Sequence, residues 1–303
     1  MNKTEILKAL TAAFRKEFAD GLKHRDPSWN KVAMRIPSTT RTNTYGWLGA
    51  FPQMREWVGS RLIKKMATQV MAIENKTFET TVSIARADIE DDQVGIYRPV
   101  MKQAGVAAAE LPDNLVWTLL GKGKTTLCYD GQNFFDTDHA WYANEDGTGT
   151  PTTMSNLTTG TDNDAPNWYV IDTTNVVMPL IYQERTRPEF EEKFDPSKSD
   201  KVFLEDLYLY GVRARGNAGF GLWQLAHMTE KTKLNKEALA KVVATMKTIK
   251  TDGGKTLAIR PSLLVVPPAL EETARELLEQ TIQNGTTNIW AGRLSLHVEP
   301  LLA

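Results

Sequence analysis

Residues 76–122 decide the fold; they read KTFETTVSIARADIEDDQVGIYRPVMKQAGVAAAELPDNLVWTLLGK. Apolar and polar residues alternate from Phe78 to Ile84, which predicts a half-buried β-strand. The acidic residues 90–92 then open a helical stretch, because negative charge is favourable at a helix N-terminus. Apolar residues recur at helical spacing up to Gly121, although Pro112 predicts a break or kink. The stretch therefore predicts a strand that leads almost directly into a long helix.

The segment before residue 31 begins with an amphipathic helix. Phe14 and Phe18 lie four residues apart on its apolar face, and Gly21 is expected to stop it. A helix followed by an extended polar segment is typical of an arm that contacts a neighbouring subunit. A plain core helix explains the same pattern equally well. Both interpretations of Phe14 and Phe18 stay open on the sequence alone.

Residues 31–86 combine strand and turn signals with large aromatic side chains, among them Tyr45, Trp47 and Trp57. The pattern predicts an extended two-stranded ribbon. Such a ribbon needs another surface to lie on, because an isolated two-stranded hairpin is only marginally stable in water. The three aromatic residues are candidates for contacts between subunits, where aromatic side chains are enriched. The alternative is that they pack within their own chain.

The rest of the chain mixes strands and helices. A long polar loop is expected over residues 144–167, and a tight turn over the glycine-rich residues 216–221. Strands are expected near residues 170, 176–181 and 202–210, with a charged segment at 184–201 between the last two. Asn235 should cap a helix, and the alternation of helix and strand after it predicts a compact α/β unit. The fold class is therefore α+β.

The composition excludes several classes of protein. There are 36 Lys and Arg residues against 37 Asp and Glu residues, so the chain lacks the cationic excess of a protein that wraps nucleic acid. Cys128 is the single cysteine, which rules out an internal disulfide and favours a reducing compartment. No apolar run is long enough for a membrane span, and the charged N-terminus has no secretion signal.

Local motifs do not favour an enzyme. Gly123-Lys124-Thr125 and Gly254-Lys255-Thr256 both lack the first glycine of a phosphate-binding loop. Asp136, Asp138 and His139 could bind a metal or transfer protons, but a polar turn is the favoured interpretation. Cys128 is interpreted as a buried structural thiol. We therefore predict no catalytic, cofactor-binding or metal-binding residues.

Several strings together are similar to a known family. They follow one another in order along most of the chain, which makes the set far more specific than any one of them. The set resembles the major head subunit of Mu-like bacteriophages. The strings are Asn43–Gly49, Asn75–Glu79, Asp91-Asp92 with Gly95 and Tyr97, Cys128–Asp136, Gln183-Glu184-Arg185 with Pro188-Glu189, Ala218–Gln224, and Val265-Val266-Pro267 with Leu270-Glu271.

The resemblance implies the Hong Kong 97-like (HK97-like) capsid fold, in which an N-terminal arm and an extended loop reach onto neighbouring subunits. Projected onto this chain, that fold has five parts. They are an N-terminal arm at 1–30, an extended β-ribbon loop at 31–86, a spine helix and peripheral domain at 87–165, peripheral or axial strands at 166–234, and an axial α/β domain at 235–303.

The function implied by the resemblance is self-assembly, in pentamers and hexamers, into an icosahedral virion head around double-stranded DNA. The implied partners are other copies of the chain, a scaffold or protease protein, a portal and a decoration protein, with assembly in the bacterial host cytoplasm. Near-neutral charge suits a wall that encloses DNA without binding it tightly. No cofactor and no membrane are expected. The alternatives are an encapsulin-type nanocompartment shell, or a metal- or nucleotide-dependent enzyme built on Asp138 and His139 or on the glycine-lysine loops.

Overall fold

The structure, a computed structural model, describes residues 3–46, 48, 71–91, 93–193, 200–283 and 286–303. Trp47 and Trp57 lie outside the described residues. The α-helices are α1 (Lys3–Leu22), α2 (Arg86–Glu90), α3 (Arg98–Gly121), α4 (Asp200–Glu205), α5 (Lys236–Lys247) and α6 (Glu271–Leu278). The strands are β1 (Ala33–Pro37), β2 (Thr42–Tyr45), β3 (Met71–Glu74), β4 (Lys76–Ala85), β5 (His139–Tyr142), β6 (Pro151–Met154), β7 (Leu157–Thr159), β8 (Trp168–Ile171), β9 (Leu180–Lys193), β10 (Leu207–Phe220), β11 (Ala226–Glu230), β12 (Leu263–Val266), β13 (Ile282–Gln283), β14 (Thr286–Thr287) and β15 (Ser295–Val298).

The first sheet has the strand order β1-β9-β10-β4. Its two central strands are 14 residues long and antiparallel. The interpretation of residues 184–201 as a charged segment between strands was wrong for residues 184–193, because β9 continues to Lys193, while residues 194–199 lie outside the described residues. Along this part Phe190 packs against Tyr210, with ring centroids 6.0 Å apart, while Glu189 and Glu191 are exposed. A strand with one solvent-facing side can carry charge at every second position.

The strand predicted at 202–210 is half wrong and half right. Residues 202–205 belong to α4, and β10 starts only at Leu207. The turn expected over residues 216–221 is also wrong, since β10 continues to Phe220. Its glycines are required by close packing: a Cβ at Gly219 would collide with the Ile73 side chain, and a Cβ at Gly221 with the Met178 carbonyl oxygen.

Helices α1 and α3 pack against each other and lie on one face of this sheet. Gly21 does not stop α1, which ends after it at Leu22. A Cβ at Gly21 would collide with the carbonyl oxygen of Lys102, and one at Gly105 with that of Phe18. The two glycines therefore let the helix backbones touch. None of the described helices has the length and apolar character needed to cross a bilayer.

The long helix predicted from residue 90 begins later. Short helical turns cover 86–90 and 93–97, and α3 starts at Arg98 with Pro99 in its first turn, where proline is tolerated. Of the break or kink predicted at Pro112, the break is wrong, because α3 continues through that residue. Burial of Val116, Trp117 and Leu120 holds the second half of the helix in place and offsets the hydrogen bond that proline cannot make.

The second sheet has the strand order β15-β12-β8-β11-β7. Helix α5 packs beside it, and the predicted cap is confirmed: the Asn235 side chain accepts a 2.8 Å hydrogen bond from the Ala238 amide. The loop expected over 144–167 is partly wrong, because β6 and β7 lie within it. Asn156, between these two strands, is fully buried and donates to the Phe134 carbonyl oxygen at 2.8 Å. That bond fixes the backbone between β6 and β7 against the segment around Phe134.

The strands of residues 31–86, which were predicted to form one ribbon, lie in two different sheets. β2 and β3 form an antiparallel pair, whereas β1 and β4 join the two edges of the first sheet. The interior is also divided. A large apolar cluster surrounds the second sheet and the adjoining ends of α3, β9 and β10. A smaller cluster lies at the other end of the first sheet, between α1, α2 and the start of α3.

Candidate functional site

Phe14 and Phe18 lie inside the chain between α1 and the first sheet. Phe14 is fully buried and makes an edge contact with Tyr210, with ring centroids 5.1 Å apart. Phe18 is 5% exposed and packs on Phe190 at 5.6 Å. Arg15, on the same helix, forms an ion pair with Glu192 of β9 at 2.6 Å. These contacts favour the core-helix interpretation for the single chain, while an additional role between subunits stays a prediction.

Tyr45 ends β2 and is also buried, at 3% exposure. Its hydroxyl donates to Gln183 Oε1 at 2.7 Å, and the Gln183 amide in turn donates to the carbonyl oxygen of Ile73 at 3.1 Å. Burial raises the pKa of Tyr45 above its ordinary value, so its hydroxyl stays a donor. The base of the predicted ribbon is thus tied to the first sheet. The interface roles proposed for Tyr45, Trp47 and Trp57 stay predictions.

The residues considered for catalysis do not converge. His139 is fully buried, stacks on Trp223 with centroids 3.9 Å apart, and bonds to Asp130 and not to Asp136 or Asp138. Asp136 accepts from the Thr137 amide at 2.8 Å, which is the self-satisfying turn that the sequence indicated.

Asp130, which the sequence did not single out, brings His139 and Cys128 together. Its two carboxylate oxygens accept from Cys128 Sγ at 2.9 Å and from His139 Nδ1 at 2.6 Å. Burial raises the pKa of Asp130, but the hydrogen bond and charge of His139, with the bond from Cys128, outweigh it and leave the pKa lowered. Burial and Asp130 raise the pKa of the Cys128 thiol, which disfavours a reactive thiolate.

These three side chains are of types that can bind a metal, and their ligand atoms lie within 4.8 Å of one another. Each carboxylate oxygen of Asp130 is already engaged by a neighbour at hydrogen-bond distance. These two bonds close the turn at Gly131. The sequence signal that could have found it is the Cys-x-Asp spacing before a turn glycine.

The two glycine-lysine loops are structural. Lys124 donates to Glu230 Oε2 at 2.6 Å and so joins the end of α3 to the second sheet. Burial raises the pKa of Glu230, but the bonds from Lys124 and Thr159 outweigh it and leave the pKa lowered. Lys255 forms a 2.8 Å ion pair with Glu145. Both lysines are engaged by carboxylates.

The surface carries large apolar side chains that the sequence did not single out. Their exposure runs from 43% to 97%. They are Ile96, Val100, Leu127, Val176, Leu204, Ile289 and Leu301.

Comparison with known proteins decides the class. The model of the family described as the Mu-like prophage major head subunit gpT matches residues 7–302. The chain belongs to this family. Among curated relatives of the head subunit, the major capsid protein of Escherichia phage Mu is 42% identical over 300 residues, which cover 98% of each chain.

Solved structures agree with the family. The head subunit is similar to a chain in the procapsid of bacteriophage JBD30, with a TM-score of 0.87 and 46% identity over 99% of this chain and 100% of that one. It is also similar to a chain in the JBD30 capsid decorated with minor capsid protein trimers, with a TM-score of 0.76 and 35% identity over 92% of each chain.

These findings confirm the resemblance that the sequence indicated, the α+β class and the HK97-like capsid fold. The head subunit is a structural protein of a phage capsid, and the prediction that it is not an enzyme is confirmed by its family. Its place is the virion. The phage-head interpretation is favoured over the encapsulin-type nanocompartment, because the match to the Mu family extends over nearly the whole chain.

Proposed function

We propose that copies of the head subunit form pentamers and hexamers, and that these close into the icosahedral head of a Mu-like tailed phage. The similarity to the phage Mu capsid protein over 98% of both chains carries the proposal. Repeated head-to-tail contacts give closed assemblies when their rotations close. The exposed apolar side chains supply surface whose burial drives such contacts at roughly 25 cal/mol per Å².

The enclosed material is double-stranded DNA, held without tight or sequence-specific binding. The formal net charge of −1 supports this, since a wall with a strong cationic excess would bind phosphates all over its surface.

The further partners are a scaffold or protease protein during assembly, a portal, and a decoration protein. The minor capsid protein trimers on the JBD30 capsid support the last of these. Assembly takes place in the host cytoplasm, which the single buried thiol of Cys128 suits. The working units of the head subunit are the arm at 1–30, the loop at 31–86, the peripheral parts at 87–165 and 166–234, and the axial domain at 235–303.

The test is to produce the chain in bacteria with and without the remaining head genes of its phage. We expect closed particles of uniform size by electron microscopy, and nuclease-resistant double-stranded DNA inside particles made with the full gene set. A chain that stays monomeric in both cases refutes the shell. Particles that enclose a cellular enzyme in place of DNA would indicate a nanocompartment.

A further inference from the structure

The two larger sheets end in four outer strands of very different length. β1 has five residues, β7 three and β15 four, whereas β4 has ten. Short edge strands and prolines are common protections against unwanted pairing, and β1 ends in Pro37. β4 has neither protection. At about 3.4 Å per residue its outer edge, to which no strand pairs among the described residues, is about 34 Å long.

The register shows which backbone groups of β4 face away from the sheet. The Arg86 amide donates to the Asp206 carbonyl oxygen at 3.0 Å, one step beyond the pair Ala85–Leu207. Hydrogen-bonded and non-hydrogen-bonded pairs alternate along an antiparallel ladder, and no bulge interrupts this one. Thr80 is therefore bonded to β10 through Val212, and Thr81 directs its amide and carbonyl groups outward.

The same alternation points the groups of residues 77, 79, 81 and 83 away from β10. Within the described parts of the chain, no hydrogen bond reaches these outward backbone groups. Thr80 and Thr81 also expose their side chains. An edge with a row of unpaired donors and acceptors is a template for another strand.

The composition of β4 strengthens the point. Its ten residues are rich in threonine with Phe78, Val82 and Ile84, which favour extended structure, and Lys76 and Glu79 are its only charges. A monomer with such an edge would be prone to association through it. The edge is thus suited to being covered.

We propose that β4 accepts a strand from a second copy of the head subunit, which adds a fifth strand to the first sheet when the shell forms. This rests on the proposed function. In a shell built from this chain, every copy has other copies beside it, so there are as many possible strand donors as there are β4 edges. A partner present in fewer copies could not cover the same edge on every subunit. Strand addition of this kind derives its affinity from main-chain hydrogen bonds.

The first test compares Thr81→Pro with Thr81→Ala. Proline removes the outward amide while the ladder to β10 stays intact, and edge strands tolerate it. Alanine keeps the amide and removes only the exposed side chain. We expect Thr81→Pro to keep the urea midpoint of the unassembled subunit and to lower particle yield at least tenfold, with Thr81→Ala unaffected. Equal particle yields from the two variants would overturn the proposal.

The second test needs no variant, so it decides the matter if Thr81→Pro fails to fold. Amide hydrogen exchange is measured on the unassembled wild-type subunit and on shells made from it. We expect the outward amides of Glu79, Thr81 and Ser83 to slow at least tenfold on assembly, while those of Thr80 and Val82 are slow in both states. Unchanged outward amides contradict a fifth strand.

The outcomes separate the possible occupants from the function itself. Slowing in undecorated shells supports a second copy, and slowing that appears only after minor capsid protein is added assigns the edge to that partner and overturns the proposal. A wild-type chain that never forms shells defeats the proposed function. Normal shells with fast outward amides defeat only the strand addition.

Discussion

Acidification should destabilise the unassembled head subunit through His227. This residue lies in β11, is 1% exposed, and has Nε2 2.8 Å from Thr158 Oγ1. Burial lowers its pKa from 6.5 to about 4, because the charged imidazolium would lose its hydration. Between these two values the unfolded chain binds a proton that the folded chain does not. Stability is therefore fully present above pH 6.5 and is lost as pH falls towards 4.

The magnitude follows from the size of the shift. The difference between 6.5 and about 4 is worth roughly 3 kcal/mol at 1.36 kcal/mol per pKa unit. Between pH 7 and pH 5 the linkage relation gives a loss of about 2 kcal/mol from this one group. Most carboxylates remain ionised in that interval, so His227 should dominate the slope.

The assay is urea unfolding of the unassembled subunit, followed by tryptophan fluorescence at several pH values from 7 to 5. His227→Gln should be less stable at pH 7 but should lose about 2 kcal/mol less than wild type on acidification. The matched control is His24→Gln, since His24 is exposed and the substitution should leave the wild-type slope. The reasoning is refuted if wild type and His227→Gln lose the same free energy between pH 7 and pH 5.

Three further outcomes are expected. Phe14→Ala should lower the free energy of unfolding by roughly 3–5 kcal/mol, measured in urea, because the ring is fully buried; normal stability with failed assembly would instead support the arm interpretation. Gly105→Ala should cost about 1–3 kcal/mol by the same measurement, since the new methyl group separates α1 from α3, and Gly95→Ala, where a Cβ meets nothing within 4 Å, serves as its control. Trp47→Ala should reduce particle yield in electron microscopy more than it lowers Tm, and normal particles from it would remove Trp47 from the interface.

Local signals in the sequence predicted the structure correctly where that structure depends on residues close together in the chain. The cap at Asn235 and the buried face of α5 follow from the spacing of residues within one helix. The collinear strings were sufficient for the family, because their order and spacing carry information that a single motif lacks.

The errors arose where distant parts of the chain meet. Gly21 has the appearance of a helix stop until Gly105 is placed against it, and the charges of β9 suggest a loop until β10 pairs with them. Asp130 gains its importance only when His139 folds back onto the same turn. Contacts between subunits are harder still to predict from the sequence, because half of the residues in such a contact belong to another molecule.

The division of the interior into a larger and a smaller apolar cluster means that the subunit need not melt as one block. The smaller cluster holds α1 and the far ends of β4 and β10, with less buried surface to resist thermal opening. Gentle warming should therefore loosen this end while the second sheet persists. A newly made copy could then adjust the angle at which it meets its neighbours without giving up its native topology.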